Sequence, residues 1–81
     1  MKYHVEIMIT LREGILDPEA RAIQHALKSL GFETESLRTA RIFCVTLEAA
    51  DKRAAREEAA RMCERLLANP VIHRYEIEVR E

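Results

Sequence analysis

The chain has 81 residues, enough for a single domain (1–81) with one hydrophobic core. Its 13 basic and 14 acidic residues give a net charge of −1, which argues against nucleic-acid binding driven by a clustered basic face. With two Tyr, two Phe and no Trp, it also lacks an aromatic platform for stacking RNA bases.

No apolar run approaches the ~20 residues that a membrane helix needs. Glu6 stands where a secretory signal peptide would need its apolar stretch. We therefore expect a cytoplasmic protein without membrane contact, in which Cys44 and Cys63 are reduced thiols. Because so small a core supplies only about 3–5 kcal/mol, association with another chain is the expected source of further stability.

The first predicted element is a strand with period-2 alternation. One set of residues faces one way: Tyr3, Val5, Ile7, Ile9 and Leu11. The other set faces the opposite way: His4, Glu6, Met8 and Thr10. This pattern is typical of a strand with one buried face.

A helix follows the turn at residues 12–14. Asp17 is a good N-cap, Pro18 suits the first helical position, and Gly31 is a typical stop, with Phe32 placed for an apolar contact after it. The helix carries a stripe that we expect to be buried: Ile23, Ala26, Leu27 and Leu30.

Residues 33–47 form either one bent strand or a hairpin, with a bend at Arg38–Arg41 and a strand over Arg41–Leu47. Asp51 caps a second helix, and Asn69-Pro70 ends it because the residue before proline is disfavoured in the α region. The expected buried stripe of this helix is Ala55, Ala59, Met62, Cys63 and Leu66. Tyr75, Ile77 and Val79 mark a final strand.

This order predicts an α+β fold, an open-faced two-layer sandwich of ferredoxin-like type, βαβ(β)αβ. Both helices are expected on one face of a mainly antiparallel sheet. The other face presents Met8, Ile42 and Cys44 among charged residues, which indicates a homo-oligomer surface. The alternative is that these are scattered exposed apolar residues.

The sequence offers little for catalysis or metal binding. The residues His4, His25, His73, Cys44 and Cys63 do not have metal-ligand spacing. Cys44 lies in a strand, away from a helix N-terminus that would activate it. The pairs Glu57/Glu58 and Glu76/Glu78 are typical of solvated faces, and two glycines do not make a phosphate loop. We expect no catalytic, cofactor-binding or metal-binding residue in this chain.

Two runs of the sequence are similar to motifs of a known protein family. The run LREGILDPEARAI (residues 11–23) is similar to an L-K-x-G-V-L-D-P motif, and it continues to Leu30-Gly31-Phe32. The run MCERLLANPVI (residues 62–72) is similar to M-C-x-x-L-L-A-N-P-V-I. In this order and at this spacing, the two runs resemble the PurS subunit family of phosphoribosylformylglycinamidine synthase. The chain departs from the family at Ala20 and Ala40, where glycines are usual, and at Arg41, where lysine is usual.

The resemblance implies a small, non-catalytic but required subunit of a complex in de novo purine synthesis. In that complex a glutaminase subunit releases ammonia, and a large synthetase subunit, which carries ATP and Mg²⁺, adds it to formylglycinamide ribotide. The PurS-like subunit, a homodimer or higher homo-oligomer, bridges the two and helps to couple them. Contacts with these partners are expected at helix ends and loops: Leu16, Asp17, Pro18, Arg38, Arg41, Asn69 and Pro70.

Simpler interpretations remain open for these residues. Asp17-Pro18 is also explained by helix capping, Asn69-Pro70 by a helix stop, and the two arginines by solvation at the start of a strand. The alternative function is a ferredoxin-like regulatory module that binds a small molecule. An RNA-binding module is disfavoured by the charge and the few aromatic residues.

Overall fold

A computed structural model describes all 81 residues. Its strands are β1 (Lys2–Leu11), β2 (Ala40–Glu48) and β3 (His73–Arg80), and its helices are α1 (Pro18–Ser29) and α2 (Lys52–Met62). β1 lies in the centre of the sheet and pairs antiparallel with both other strands, in the order β2-β1-β3. The predicted α+β class with an open antiparallel sheet is confirmed.

The core lies between one face of β1 and α2. The alternating residues Tyr3, Val5, Ile7 and Ile9 are buried, as their period-2 pattern predicts. They meet Ala55, Ala59 and Cys63, the buried residues of α2 and of the turn that continues it. Small residues on this face allow the helix to approach the sheet closely. α2 therefore covers β1 and β3.

The predicted position of α1 needs a correction, because α1 does not lie on the sheet beside α2. Ala20 is its only buried residue, while Ile23 is 42% exposed and Leu30, just after the helix, is 74% exposed. The helix instead projects from one end of the sheet, and the molecule is 51 Å long. Its radius of gyration is 16.1 Å, whereas a compact chain of this length has about 12 Å.

The ends of α1 are built as the sequence predicts. The Asp17 carboxylate caps the helix by accepting a hydrogen bond from the backbone N–H of Ala20 at 3.0 Å. Gly31 has a φ of +97°, and the N–H groups of Gly31 and Phe32 donate to the carbonyls of Lys28 and Leu27. This is the double hydrogen bond of a Schellman stop, which favours glycine at this position.

Residues 33–39 form neither a bent strand nor a hairpin. No strand lies between α1 and β2, and the segment runs back from the tip of α1 to the sheet without regular structure. Gln24 braces it, because the side-chain amide donates to the carbonyl oxygen of Thr34 at 3.2 Å and to its hydroxyl at 3.1 Å. We call residues 18–39, the helix and this braced return segment, the α1 arm.

The second helix ends differently from the prediction. After Met62 it continues as a π-helical turn, Cys63–Leu67, in which the N–H of Ala68 donates to the carbonyl of Cys63, five residues earlier. Such a turn is wider than an α-helical one. As a result Leu66, predicted to be buried, is 84% exposed. The hydroxyl of Tyr75 on β3 fastens the turn by donating to Glu64 at 2.9 Å.

The central position of β1 generates a stability prediction. Ile7 is fully buried, so Ile7→Ala should lower the free energy of unfolding by about 2–5 kcal/mol. That loss approaches the whole stability of a core this small. Urea denaturation, followed by circular dichroism, measures it.

The matched control is Ile42→Ala, which changes the same residue type on the exposed side of the neighbouring strand. Ile42 is 53% exposed, and its loss should cost no more than about 0.5 kcal/mol when both variants are measured at a dilution at which sedimentation shows a monomer. Equal losses for the two variants would contradict this description of the core.

Candidate subunit interfaces

Antiparallel pairing gathers distant segments at one end of the sheet. The end of β1 at Leu11 pairs with the start of β3 at His73, and its neighbour Thr10 pairs with the start of β2 at Ala40. The loops that lead into and out of these strands therefore meet there. We call this region the strand-end surface, and it contains all seven residues predicted to contact partners: Leu16, Asp17, Pro18, Arg38, Arg41, Asn69 and Pro70.

Asp17 joins two of these segments. One carboxylate oxygen caps α1, and the other accepts a hydrogen bond from the hydroxyl of Thr39 at 2.7 Å. The hydrogen bond from Ala20 N–H, followed by that from Thr39, lowers the pKa of Asp17. Because it bonds both Ala20 and Thr39, the carboxylate fixes the direction in which α1 leaves the sheet. Neighbouring Leu16, at 73% exposure, remains free to contact another molecule.

Arg12, which was not among the predicted contact residues, joins the end of β1 to the segment between α2 and β3. Its Nε donates to the carbonyl of Pro70 at 3.0 Å, and its backbone N–H donates to the carbonyl of Ile72 at 2.8 Å. Together with Asp17 and Arg38 it lines a shallow cavity of about 310 Å³. The sequence held two signals for Arg12: it directly follows a strand, and it lies in the run at residues 11–23 that carries the family resemblance.

Asn69 shapes the turn between α2 and β3. Its Oδ1 accepts a hydrogen bond from the N–H of Val71 at 3.0 Å, and its own N–H donates to Nδ1 of His73 at 2.9 Å. An Asn side chain that bonds the backbone two residues on is the mechanism of an Asx turn. The side-chain oxygen is therefore occupied, while the exposed Nδ2 has no partner within the chain.

The two arginines of the strand-end surface differ in setting. Arg38 is exposed beside Asp17 in the segment before β2. The Arg41 guanidinium lies 5.9 Å from the centre of the Phe43 ring, within the range of a cation–π contact. Neither arginine forms an ion pair. Both charges are therefore available to an acidic partner.

The sheet face away from α2 brings together the three residues predicted for self-association. Met8 lies directly opposite Ile42 in the register, and Cys44 follows on the same face of β2. Ile42 and Cys44 are exposed and Met8 is half-buried. We call this the open-face patch. Charged residues from β1 and β3 border it, because Glu76 pairs with Met8, and Glu78 with Glu6.

Two further apolar surfaces were not predicted. On the helix side, β2 is only partly covered, and a groove of about 500 Å³ lies between it and the second helix. Its apolar lining residues define the β2–α2 groove: Phe43, Val45, Met62, Leu66 and Leu67. Four apolar residues of the helix and its C-cap define the α1 stripe, of which Leu27 is half-buried and the others are exposed: Ile23, Ala26, Leu27 and Leu30.

Two further side chains have pKa values that are shifted by their place in the fold. Burial raises the pKa of the Cys63 thiol, and the hydrogen bond to Glu64 raises the pKa of Tyr75. No cluster of three or more His, Cys, Asp or Glu residues is close enough to hold a metal ion. No helix has the length and apolar character needed to cross a membrane.

Comparison with known proteins gives a consistent result. A family model described as PurS, phosphoribosylformylglycinamidine (FGAM) synthase, matches residues 4–81. The PurS subunit of Methanothermobacter thermautotrophicus is 42% identical over 81 residues, which cover all of this chain and 96% of the relative. That of Bacillus subtilis is 40% identical over 80 residues, or 98% of this chain and 94% of the relative.

Solved structures agree with the sequence matches. The crystal structure of Methanocaldococcus jannaschii PurS has a TM-score of 0.88 at 40% identity, covering 98% of this chain and 96% of that one. A chain in the structure of PurLQS from Thermotoga maritima has a TM-score of 0.89 at 28% identity, covering 99% of each chain. The resemblance carried by the runs at residues 11–23 and 62–72 is confirmed: the chain belongs to the PurS family of phosphoribosylformylglycinamidine synthase.

Proposed function

We propose that this chain is the PurS-type subunit of a phosphoribosylformylglycinamidine synthase. The whole enzyme converts formylglycinamide ribotide into formylglycinamidine ribotide in de novo purine synthesis, with glutamine and ATP. The observation that carries the proposal is the match along the whole chain to a component of the PurLQS structure.

The role within the complex is structural coupling in the cytoplasm. A glutaminase subunit releases ammonia, and a synthetase subunit, which holds ATP and Mg²⁺, adds it to the activated amide. Our subunit holds the two together so that ammonia passes between them. It supplies contact surfaces, while the chemistry belongs to its partners.

The strand-end surface is our proposed contact with those partners. It combines an exposed apolar side chain, Leu16, with two unpaired arginines, Arg38 and Arg41. Three chain segments, fixed to one another by Asp17 and Arg12, build it. Such fixed geometry favours binding because little conformational freedom is lost on contact.

The open-face patch is our proposed self-association surface. Met8, Ile42 and Cys44 are contiguous across β1 and β2. Contiguous exposed apolar residues on a small domain are typical of an interface. The patch would make the free protein a homodimer.

An activity assay tests the proposed role. Glutamine-dependent formation of formylglycinamidine ribotide should require this chain, because the ammonia released by the glutaminase otherwise fails to reach the synthetase. The measurement mixes the synthetase and glutaminase subunits with and without the chain. Activity with added ammonium chloride is the control, since it bypasses the transfer. Full glutamine-dependent activity without the chain would exclude the coupling role.

Substitutions at Asn69 test whether this residue only shapes the turn or also contacts a partner subunit. Asn69→Asp keeps an acceptor for the N–H of Val71 but removes the free amide donor, whereas Asn69→Ala removes both. We expect both variants to keep the sheet and to weaken binding to the partner subunits, with a larger loss of thermal stability for Ala. Pull-down and thermal melting measure these effects. Unchanged binding in both variants would reduce Asn69 to a turn residue.

Cys44 reports on the open-face patch. Its thiol is exposed in the single chain and should become protected on self-association. We therefore expect its alkylation rate to fall as protein concentration rises. Buried Cys63 is the internal control and should remain unreactive throughout. A Cys44 rate independent of concentration, across a range in which sedimentation detects dimers, would place the interface elsewhere.

A further inference from the structure

Helix α1 has a second face, which is polar. Each residue of an α-helix turns the side-chain direction by about 100°, so positions 21, 25 and 28 lie in one row on the side opposite the α1 stripe. We call this row the basic ridge: Arg21, His25 and Lys28. All three side chains are exposed. The ridge therefore faces away from any molecule that covers the stripe.

The basic ridge carries charge that the chain does not neutralise. On α2, Arg53 and Arg61 pair with glutamates three or four residues away. Arg21 and Lys28 form no ion pair. Asp17 is the one acidic residue three or four positions from a ridge residue, and both of its oxygens already accept hydrogen bonds. Two positive charges therefore remain open to another molecule.

The surroundings of the basic ridge are polar and fixed. A cavity of about 310 Å³ lies between the ridge and the return segment, and no apolar side chain lines it. Gln24, which lies within the row, holds that segment by donating to the carbonyl and hydroxyl oxygens of Thr34. Glu33 lines the cavity without an ion pair to the ridge, so it offsets at most one of the two charges. Such a surface recognises charge rather than apolar shape.

The shape of the basic ridge indicates the kind of ligand. From position 21 to position 28 the helix rises about 10 Å, so the two charges lie in a row and do not converge on one point. A single phosphate is held best by converging donors, whereas a segment with several carboxylates matches a row. Carboxylates one or two turns apart on a helix have the matching spacing. The net charge of −1 argues against nucleic acid.

We propose that the basic ridge binds an acidic helical segment of a catalytic subunit. The inference rests on the proposed function, which supplies the two partner subunits. The ridge begins one helical turn beyond Asp17, so a subunit seated on the strand-end surface meets it by extending along α1. Exposed ion pairs add little affinity. The ridge therefore acts mainly by speeding and orienting the approach of the partner.

Zero-length crosslinking of the assembled complex tests the contact. A carbodiimide forms an amide between a lysine amine and a carboxylate that touches it, and the chain has three lysines: Lys2, Lys28 and Lys52. We expect mass spectrometry to find Lys28 joined to an Asp or Glu of a catalytic subunit. Lys52, exposed at the start of α2, is the internal comparison. A link from Lys28 to a second copy of this chain, or links from Lys52 with none from Lys28, overturns the proposal.

Charge removal tests what the basic ridge does. In the double variant Arg21→Gln/Lys28→Gln, the concentration of chain needed for half-maximal glutamine-dependent activity should rise about tenfold at low salt. Screening should shrink this difference at high salt. The matched control, Lys52→Gln/Arg53→Gln, removes one lysine and one arginine from α2 and should need the same concentration as the unaltered chain. Circular dichroism verifies that both variants keep the fold.

Equal concentration requirements for the ridge variant and the control variant would overturn the proposal. Binding of a single-stranded RNA oligonucleotide that is lost in the ridge variant would also overturn it, because the ridge would then belong to a nucleic-acid site. Failure of the unaltered chain to restore glutamine-dependent activity contradicts the proposed function itself. Restored activity without a link from Lys28 contradicts the role of the ridge alone.

Discussion

The contact between β1 and α2 is the interaction on which the rest of the structure depends. Four alternating residues of β1 are buried against a helix face made of two alanines and a cysteine. The small residues bring α2 close to β1 and β3, but they leave the helix side of β2 only partly covered. Only 10 of 81 residues are buried, so this single layer supplies most of the core. The remaining apolar side chains, among them Leu30 and Leu66, are exposed in the single chain.

The sequence predicted what local rules determine. Alternation identified the buried face of β1, and the caps at Asp17, Asp51 and Gly31 lie where their chemistry places them. The predictions that were wrong share a different cause. A helical stripe such as that of Ile23 and Leu30 shows that a helix buries one face, but not which chain covers it. We assigned that cover to the chain's own sheet, whereas the α1 arm leaves it.

The strand-end surface was also predicted only in part. Its seven residues were named from helix ends and loops, but nothing in the sequence spacing indicated that antiparallel pairing would gather them at one end of the sheet. Arg12 and Thr39 hold the segments together through hydrogen bonds to residues far away in the sequence. Neither residue type nor position indicates such a bond before the partner is known. The π turn was also unpredictable, because its wider hydrogen bond to Cys63 depends on how the following turn at Asn69 and the bond from Tyr75 hold the chain.

A coupling subunit must bind several molecules at once, and a single small sheet limits where they can lie. The open-face patch and the β2–α2 groove are on opposite sides of the sheet, so a molecule bound on one side leaves the other accessible. The strand-end surface lies at the end of the strands, where the α1 arm begins. The arm is therefore anchored beside the proposed partner contact. A partner that binds at Asp17 and Arg38 would also act on the direction in which α1 leaves the sheet.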